Sequence, residues 1–208
     1  MEEYAGAITH AKPDHMTYYC IVKRMMDIFF VLISLPIVLF IIMVFVVLIK
    51  IETSGPAFYF QRRVGLYGRE FNVCKLRSMI VDAEKEGARW AIKNDPRVTR
   101  IGAFMRKTRI DEIPQVFNIL KGEMSLVGPR PERPMFTEEF EVLYPGFKKR
   151  LLVKPGLTGL AQVNGGYNLS PNKKLELDIY YIEKQGIKMD LKIILNTIKI
   201  VFSGEGAR

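Results

Sequence analysis

Histidine is almost missing from this sequence: His10 and His15 are the only two, both within the first 15 residues. That nearly excludes a Ser-His-Asp or Cys-His triad and any His-ligated metal centre. Cysteine is equally scarce. Cys20 and Cys74 form no C-x-x-C pair, which excludes a disulfide framework and a cysteine zinc site and points to a reduced, cytosol-facing protein. There is no G-x-G-x-x-G, no Walker A spacing and no D-x-D. The last absence counts against a metal-dependent glycosyltransferase built on nucleotide-binding aspartates. Repeats and low-complexity tracts are absent too, and 49% hydrophobic with 25% charged residues excludes long disorder. Any catalysis here must run on carboxylates, lysine and arginine.

The 208 residues suit one domain of ordinary size with room for an appendage, and carry 31 Lys+Arg against 22 Asp+Glu, a formal charge of +9. A mean hydropathy of +0.07 beside so much charge means that the apolar residues are concentrated. Ile28 to Ile49 is a run of 22 residues without a charge. As a helix it reaches roughly 33 Å, enough for a bilayer core. It lies too far from the N-terminus for a signal peptide and runs into Lys50-Ile51-Glu52, not a cleavage site. Lys23 and Arg24 precede it; Lys50, Arg62, Arg63, Arg69, Lys75 and Arg77 follow. The heavier downstream charge belongs in the cytoplasm, yet the upstream flank is basic as well, as a segment with both ends inside requires. Pro36 removes one backbone hydrogen bond within the run, and Ser34 is placed to satisfy the freed carbonyl. A true span and a re-entrant helix bent at Ser34 and Pro36 both remain open on this chemistry.

Beyond Lys50 there is no second hydrophobic span. The segments Ala57–Tyr59 and Phe71–Leu76 read as extended, split by Gly65 and Gly68. Helices are expected over Val81–Trp90, around Ile101, Phe104 and Met105, and over Glu112–Lys121 with Gly122 as its stop. Another is expected from Ser170-Pro171 towards Gln185, and a last one opening at Asp190. The stripe Leu191, Ile194, Leu195, Ile198 and Val201 on this last helix reads as core, although Lys188, Lys192 and Lys199 also suit an interfacial helix. The fold class is mostly α with little β. The boundaries are an N-terminal segment over residues 1–27, the membrane helix over 28–49 and a catalytic domain over 50–208.

Asp111 and Glu112 stand together in R-K-T-R-I-D-E-I-P-Q, with Arg106, Lys107 and Arg109 upstream and Pro114 downstream. A carboxylate beside such cations at a helix start stays ionised and can attack phosphorus or hold magnesium. Asp111 can equally be an N-cap, since Thr108-x-x-Asp111 passes for a capping box. In Gly122–Pro134, G-E-M-S-L-V-G-P-R-P-E-R-P, prolines flank Arg130, whose planar fork suits phosphate. Lys154–Gly166, K-P-G-L-T-G-L-A-Q-V-N-G-G, reads as a glycine-rich loop able to present backbone N–H groups.

Together these segments resemble the bacterial sugar transferase family: small, membrane-embedded phosphoglycosyl transferases that start polyprenyl-linked glycan assembly. The resemblance runs from Lys23-Arg24-Met25-Met26-Asp27 through Gln61-Arg62-Arg63-Val64-Gly65, Lys75-Leu76-Arg77-Ser78-Met79 and Asp111-Glu112-Ile113-Pro114-Gln115. It continues over Asn118–Pro131, Pro155–Val163, Leu177–Ile182 and Asp190–Ile194, nearly to Gly204-Glu205-Gly206-Ala207. It implies a re-entrant N-terminal membrane helix and a compact catalytic domain with amphipathic interfacial helices, on the cytoplasmic face of the bacterial cell membrane. It implies a nucleophilic Asp111 with Glu112 beside it, Mg²⁺ at that pair, and Lys75, Arg77, Arg130 and Gln162 as substrate contacts. The implied reaction moves a sugar 1-phosphate from a UDP-sugar to undecaprenyl phosphate, releasing UMP through an aspartyl-phosphosugar, as the first membrane step of surface glycan assembly. One departure stands out: Pro36 lies nine residues after Asp27, where relatives carry a Ser-Pro break about 13 after. The larger relatives add four N-terminal spans, so this chain resembles the minimal catalytic form. The +9 charge then serves anionic membrane lipids and two phosphate substrates. A non-catalytic membrane scaffold needs the run and basic face but not Asp111-Glu112 with Arg130. A nucleic-acid binder has no use for the run and shows no recognition signature. No residue reads a sugar hydroxyl, so glucose, galactose, N-acetylgalactosamine and N-acetylglucosamine donors all stay open.

Overall fold

The computed structural model describes residues 14–85, 87, 95–166 and 169–203. Helix α1, Asp14–Glu52, contains the whole apolar run and passes through Pro36 without ending. The hydroxyl of Ser34 donates to Val31 O at 3.0 Å. The carbonyl that Pro36 leaves without its usual donor is that of Leu32, one residue on, so the expected rescue by Ser34 is not the one made. At 39 residues α1 is about 58 Å long, well beyond the charge-free run.

The faces of α1 differ. Phe29, Ile33, Ile37, Phe40, Met43, Val47 and Ile51, three or four residues apart, are all more than half exposed. Val31 packs inward with Val73, Val116, Ile119 and Met124. Ile42 and Ile49 pack with Ala57, Leu76 and Met105, and Val38 touches both groups. Before the run, Asp27 accepts from Ser125 Oγ at 3.1 Å and Leu126 N at 2.9 Å, and Lys23 pairs with Asp190 at 2.6 Å. The helix is therefore pinned to one body at both ends and along one face. The buried bonds near its start are costly to break, because each leaves a polar group unpaired.

The body begins with an antiparallel hairpin, β1 (Phe58–Val64) and β2 (Glu70–Leu76), in the register Tyr59↔Lys75 and Gln61↔Val73. This matches the extended segments expected on either side of Gly65 and Gly68. Val81–Lys85 is a series of turns and not the start of a helix; Glu86 and residues 88–94, including Trp90, lie outside the described residues. Helix α2, Arg100–Thr108, covers the expected Ile101, Phe104 and Met105. The Thr99 hydroxyl accepts from Gly102 N at 2.9 Å, and Glu52, from the end of α1, accepts from Arg100 N at 2.7 Å. A 3₁₀ turn, Ile110–Gln115, then leads into α3, Val116–Lys121, which Gly122 ends in the left-handed conformation. The expected helix from Glu112 thus starts as a tighter 3₁₀ turn, since Pro114 has no N–H to give an α-helical ladder.

Short parallel strands β3 (Ser125–Val127) and β4 (Gly156–Thr158) pair with each other, and α4 spans Pro134–Leu143 between them in the chain. Helix α5 is one turn, Leu160–Val163. Helix α6, Pro171–Lys184, opens as expected with Ser170 Oγ accepting from Lys173 N. The last helix, α7, spans Ile187–Ser203 and starts before Asp190, whose buried carboxylate accepts from the hydroxyls of Tyr19 and Tyr181. Its stripe is not core: Leu195, Ile198 and Val201 are about half exposed, while Ile193 is buried against Val127 and Tyr181. The inward face is the more polar one, Asp190, Ile193 and Thr197, because Asp190 has tyrosine and lysine partners waiting inside. The interfacial reading of Lys188, Lys192 and Lys199 is the one this geometry favours.

Candidate active site

A cleft of about 270 Å³ opens among the hairpin, the 3₁₀ turn, the Gly128–Pro131 turn and α6. Cations outnumber carboxylates two to one along its walls. Alternation along β1 places Tyr59, Gln61 and Arg63 on the cleft side, and Lys75 joins them across the pair from Tyr59. Arg62, one residue out of phase, is exposed.

Asp111 and Glu112 both line the cleft from the 3₁₀ turn. Neither is a cap. Thr108 Oγ1 turns back to Phe104 O at 2.9 Å, and Arg109 makes the junction with α2 at φ 59°. A non-glycine residue held there carries backbone strain, the kind of distortion that collects at working sites. The tight turn brings both adjacent side chains to one opening, but their surroundings differ. Glu112 accepts from Lys75 Nζ at 2.8 Å and from both terminal nitrogens of Arg130. Burial alone would raise its pKa, yet Arg130 and Lys75 outweigh that and hold it well below the ordinary glutamate value. Asp111 has no hydrogen bond or ion pair among the described residues. Burial, and then the charge of Glu112, push its pKa up to about 6 against the pull of Lys75, Arg106 and Arg130. Of the expected upstream cations Arg106 acts on it, after Lys75 and ahead of Arg130, and burial with the charge of Glu112 outweighs all three.

Arg130 is held by its own backbone. Prolines on both sides supply no N–H, so the turn carbonyls need outside donors. Gly156 N reaches Pro129 O at 2.9 Å, Arg150 reaches Arg130 O at 3.0 Å and Arg63 reaches Pro131 O at 2.9 Å. The glycine-rich segment serves this packing and not a phosphate loop. A Cβ on Gly128 would sit 2.4 Å from Lys154 O, and one on Gly156 only 2.1 Å from Gly128 N. Arg150 is itself fixed by a buried ion pair, Nε to Asp178 Oδ2 at 2.7 Å, and both residues line the cleft. Spacing along the chain could not reveal that pair, because 28 residues separate its members. Gln61 and Arg63 were visible only as part of a motif; the two-residue period of β1 is the signal that places them.

Of the other expected substrate contacts, Gln162 lines the cleft, with Nε2 donating to Leu157 O at 2.9 Å and a buried Oε1 without a partner among the described residues. Arg77 lines the cleft as well. Its guanidinium donates to Ser54 O at 2.7 Å and to Thr53 O and Oγ1 at 3.1 and 2.7 Å. It ties β2 to the end of α1 and leaves a buried Nε without a partner among the described residues.

No cluster of three or more metal-ligating side chains occurs among the described residues. Glu112 is engaged by two cations, while Asp111 keeps its oxygens for a ligand. This donor set fits magnesium brought in with a diphosphate, since that ion retains water and uses only one or two carboxylates. It does not fit an all-protein cage.

Residues 18–204 match the sequence profile of the family described as Bacterial sugar transferase. A protein of Bacillus subtilis (strain 168) with the provisional name undecaprenyl-phosphate N-acetylgalactosaminyl 1-phosphate transferase is 63% identical over 133 residues, 64% of this chain and 74% of its own. An Aeromonas hydrophila protein named UDP-N-acetylgalactosamine-undecaprenyl-phosphate N-acetylgalactosaminephosphotransferase is 43% identical, covering 91% of this chain and 46% of its own. A Xanthomonas campestris pv. campestris protein named UDP-glucose:undecaprenyl-phosphate glucose-1-phosphate transferase is 39% identical over 88% of this chain and 39% of its own. The chain thus spans three quarters of the first and less than half of the other two. With the profile covering nearly its whole length and an acidic pair in a cation-lined cleft, the chain belongs to the bacterial sugar transferase family.

Proposed function

We propose that this protein transfers a sugar 1-phosphate from a UDP-sugar to undecaprenyl phosphate, releasing UMP. The observation that carries the reading is the divided state of the acidic pair: Glu112 neutralised by Lys75 and Arg130, Asp111 unbonded and open to the cleft. In the first step an Asp111 oxygen attacks the sugar-bearing phosphorus, the bond from that phosphorus to the UMP oxygen breaks, and UMP departs with the electron pair. In the second, an oxygen of the lipid phosphate attacks the same phosphorus, and Asp111 leaves as carboxylate. UMP and carboxylate are stable anions at neutral pH, so neither step demands a histidine acid. The near absence of histidine is then no handicap. Arg130, Lys75 and Arg63 face the diphosphate charge, and preorganised cations of this kind act most strongly where charge moves in the transition state. Magnesium, when bound at Asp111 and Glu112 with the donor, supplies further neutralisation of the diphosphate.

Two substrates of opposite solubility favour a covalent relay, because one carboxylate meets each in turn. The cleft is suitably placed. Helix α2 contributes Arg106 to it, while Phe104 of the same helix stacks on Phe45 of the apolar run at 6.0 Å. The outward stripe of α1 lies in the bilayer. Both flanks of the run touch one body, which supports a re-entrant helix with both ends on one side of the membrane, and the positive charge on both flanks favours the cytoplasmic side.

The test is UMP release by detergent-solubilised protein given Mg²⁺, undecaprenyl phosphate and a panel of UDP-sugars. UDP-N-acetylgalactosamine comes first, because the relatives at 63% and 43% identity carry that sugar in their names. UMP released with one donor, and dependent on Mg²⁺, supports the reading. No release with any donor would favour the scaffold.

A further inference from the structure

Lys154 opens the glycine-rich segment, yet it does not line the cleft. Its half-buried side chain makes no hydrogen bond or ion pair among the described residues. Burial, and then the charge of Arg24, lower its pKa from the ordinary lysine value. A Cβ built on Gly122 would lie 3.6 Å from Lys154 Nζ and 3.7 Å from a terminal nitrogen of Arg24, so the two cations meet beside one glycine. The charge of Asp27 offsets part of that of Lys154 without bonding to it. Asp27 accepts from Ser125 and Leu126 N, and Lys23 has taken Asp190. The Arg24 guanidinium is held in place by donating to Ile119 O at 2.6 Å and Leu120 O at 2.9 Å, which uses two of its five N–H groups. An ammonium with no bonded carboxylate beside a fixed guanidinium is a site for an oxyanion.

The position of the pair selects the anion. Arg24 lies one helical turn before the apolar run begins at Ile28, where chain and headgroup regions of a bilayer meet. Around it on α1, Ile21, Met25 and Phe29 are 56%, 66% and 58% exposed and offer acyl chains a surface. We propose that Lys154 and Arg24 form a second phosphate site, separate from the cleft, that seats the headgroup phosphate of an anionic membrane lipid. This rests on the reading that the outward stripe of α1 lies in the bilayer. Phosphatidylcholine fits worse, because its own choline cation faces Lys154 and Arg24.

The experiment uses the whole protein in phosphatidylcholine vesicles, without sugar donor, and compares retention of spin-labelled phosphatidylglycerol with spin-labelled phosphatidylcholine. Wild type should retain phosphatidylglycerol preferentially. Lys154→Gln should lower that preference at least threefold, Lys154→Arg should keep it, and Lys192→Gln on α7 should leave it unchanged. UMP release by detergent-solubilised Lys154→Gln should match wild type, which also shows that the variant folds. Undiminished preference in Lys154→Gln overturns the site. Equal losses in Lys154→Gln and Lys192→Gln reduce it to diffuse attraction, and displacement of the labelled lipid by millimolar inorganic phosphate makes it a free-anion site; both overturn the proposal. Loss of UMP release in Lys154→Gln alone overturns its separation from the cleft. Wild type without UMP release but with normal lipid preference would sink the transferase reading and leave this site standing.

Discussion

Asp111 and Glu112 are one peptide bond apart and end in different chemical states because their partners come from elsewhere in the chain. Lys75 and Arg130 reach Glu112 and leave Asp111 with burial and a negative neighbour. A folded-state pKa raised from 3.8 to about 6 means that folding favours the protonated form. Stability is then fully present below the unfolded pKa and falls as pH rises through that window, so at neutral pH the ionised Asp111 strains the fold. We predict that Asp111→Asn abolishes turnover and stabilises the protein by about 1–3 kcal/mol at pH 7. Denaturant unfolding checks the second half, and a less stable Asn variant would contradict it. The same pKa predicts that kcat/KM falls as pH drops below about 6, because the attacking group must be carboxylate. A profile flat from pH 7 to pH 5 would mean that Asp111 is not the attacking group. Arg130→Lys keeps charge but loses the two-pronged contact, and should lower kcat/KM at least tenfold, about 1.4 kcal/mol. Near-normal kinetics would make Arg130 a turn residue only. The acidic pair, Arg130 and its rigid turn were legible in the sequence. The assignment of partners was not, because Lys75 lies 37 residues and Arg130 18 residues from Glu112, and only the packed fold brings them together.

Among the elements, α1 carries the most consequence. Its apolar run was plain in the sequence, but the division into an inward face at Val31, Val38, Ile42 and Ile49 and an outward stripe was not, since both faces are apolar. For α7 the failure was of the opposite kind. A regular hydrophobic stripe looks like core when the partners of Asp190 are unknown, and those partners, Tyr19 and Tyr181, come from α1 and α6. The glycine-rich segment misled for a related reason, since close backbone packing and phosphate cradling both demand glycine. Topology can be tested with a residue already present. Cys20 is exposed on the N-terminal flank of the run and Cys74 is buried. In a Cys74→Ser background on intact cells, Cys20 should resist a membrane-impermeant maleimide and react after permeabilisation. Labelling before permeabilisation would mean that α1 crosses the bilayer and that the contacts at its two ends do not coexist in the membrane. The contacts at the end of α1 also predict an effect at the active site. Arg77 holds Thr53 and Ser54, and Glu52 caps α2, whose other end leads to Asp111. Glu52→Gln should therefore lower kcat more than it raises KM, and an unchanged kcat would confine Glu52 to the helix start.

At the scale of the whole molecule, the chain carries a formal charge of +9, and its described cleft has two cations for each carboxylate. The mostly helical class, the long apolar helix and two extended segments were readable from periodicity and punctuation; their pairing as a hairpin was not. What the chain order concealed was convergence: a cleft built from β1, β2, the 3₁₀ turn, the Arg130 turn and α6, spread over more than 100 residues. The proposed function asks of this site that Asp111 become covalently joined to the sugar phosphate. Intact-protein mass spectrometry after mixing with the preferred UDP-sugar, with no lipid acceptor present, tests this most directly. The account predicts an adduct of one sugar phosphate on a peptide containing Asp111, with UMP released up to the amount of enzyme, and neither in Asp111→Asn. UMP formed only when undecaprenyl phosphate is also present, with no adduct under any condition, would mean that the lipid attacks the donor directly and that Asp111 is not the nucleophile.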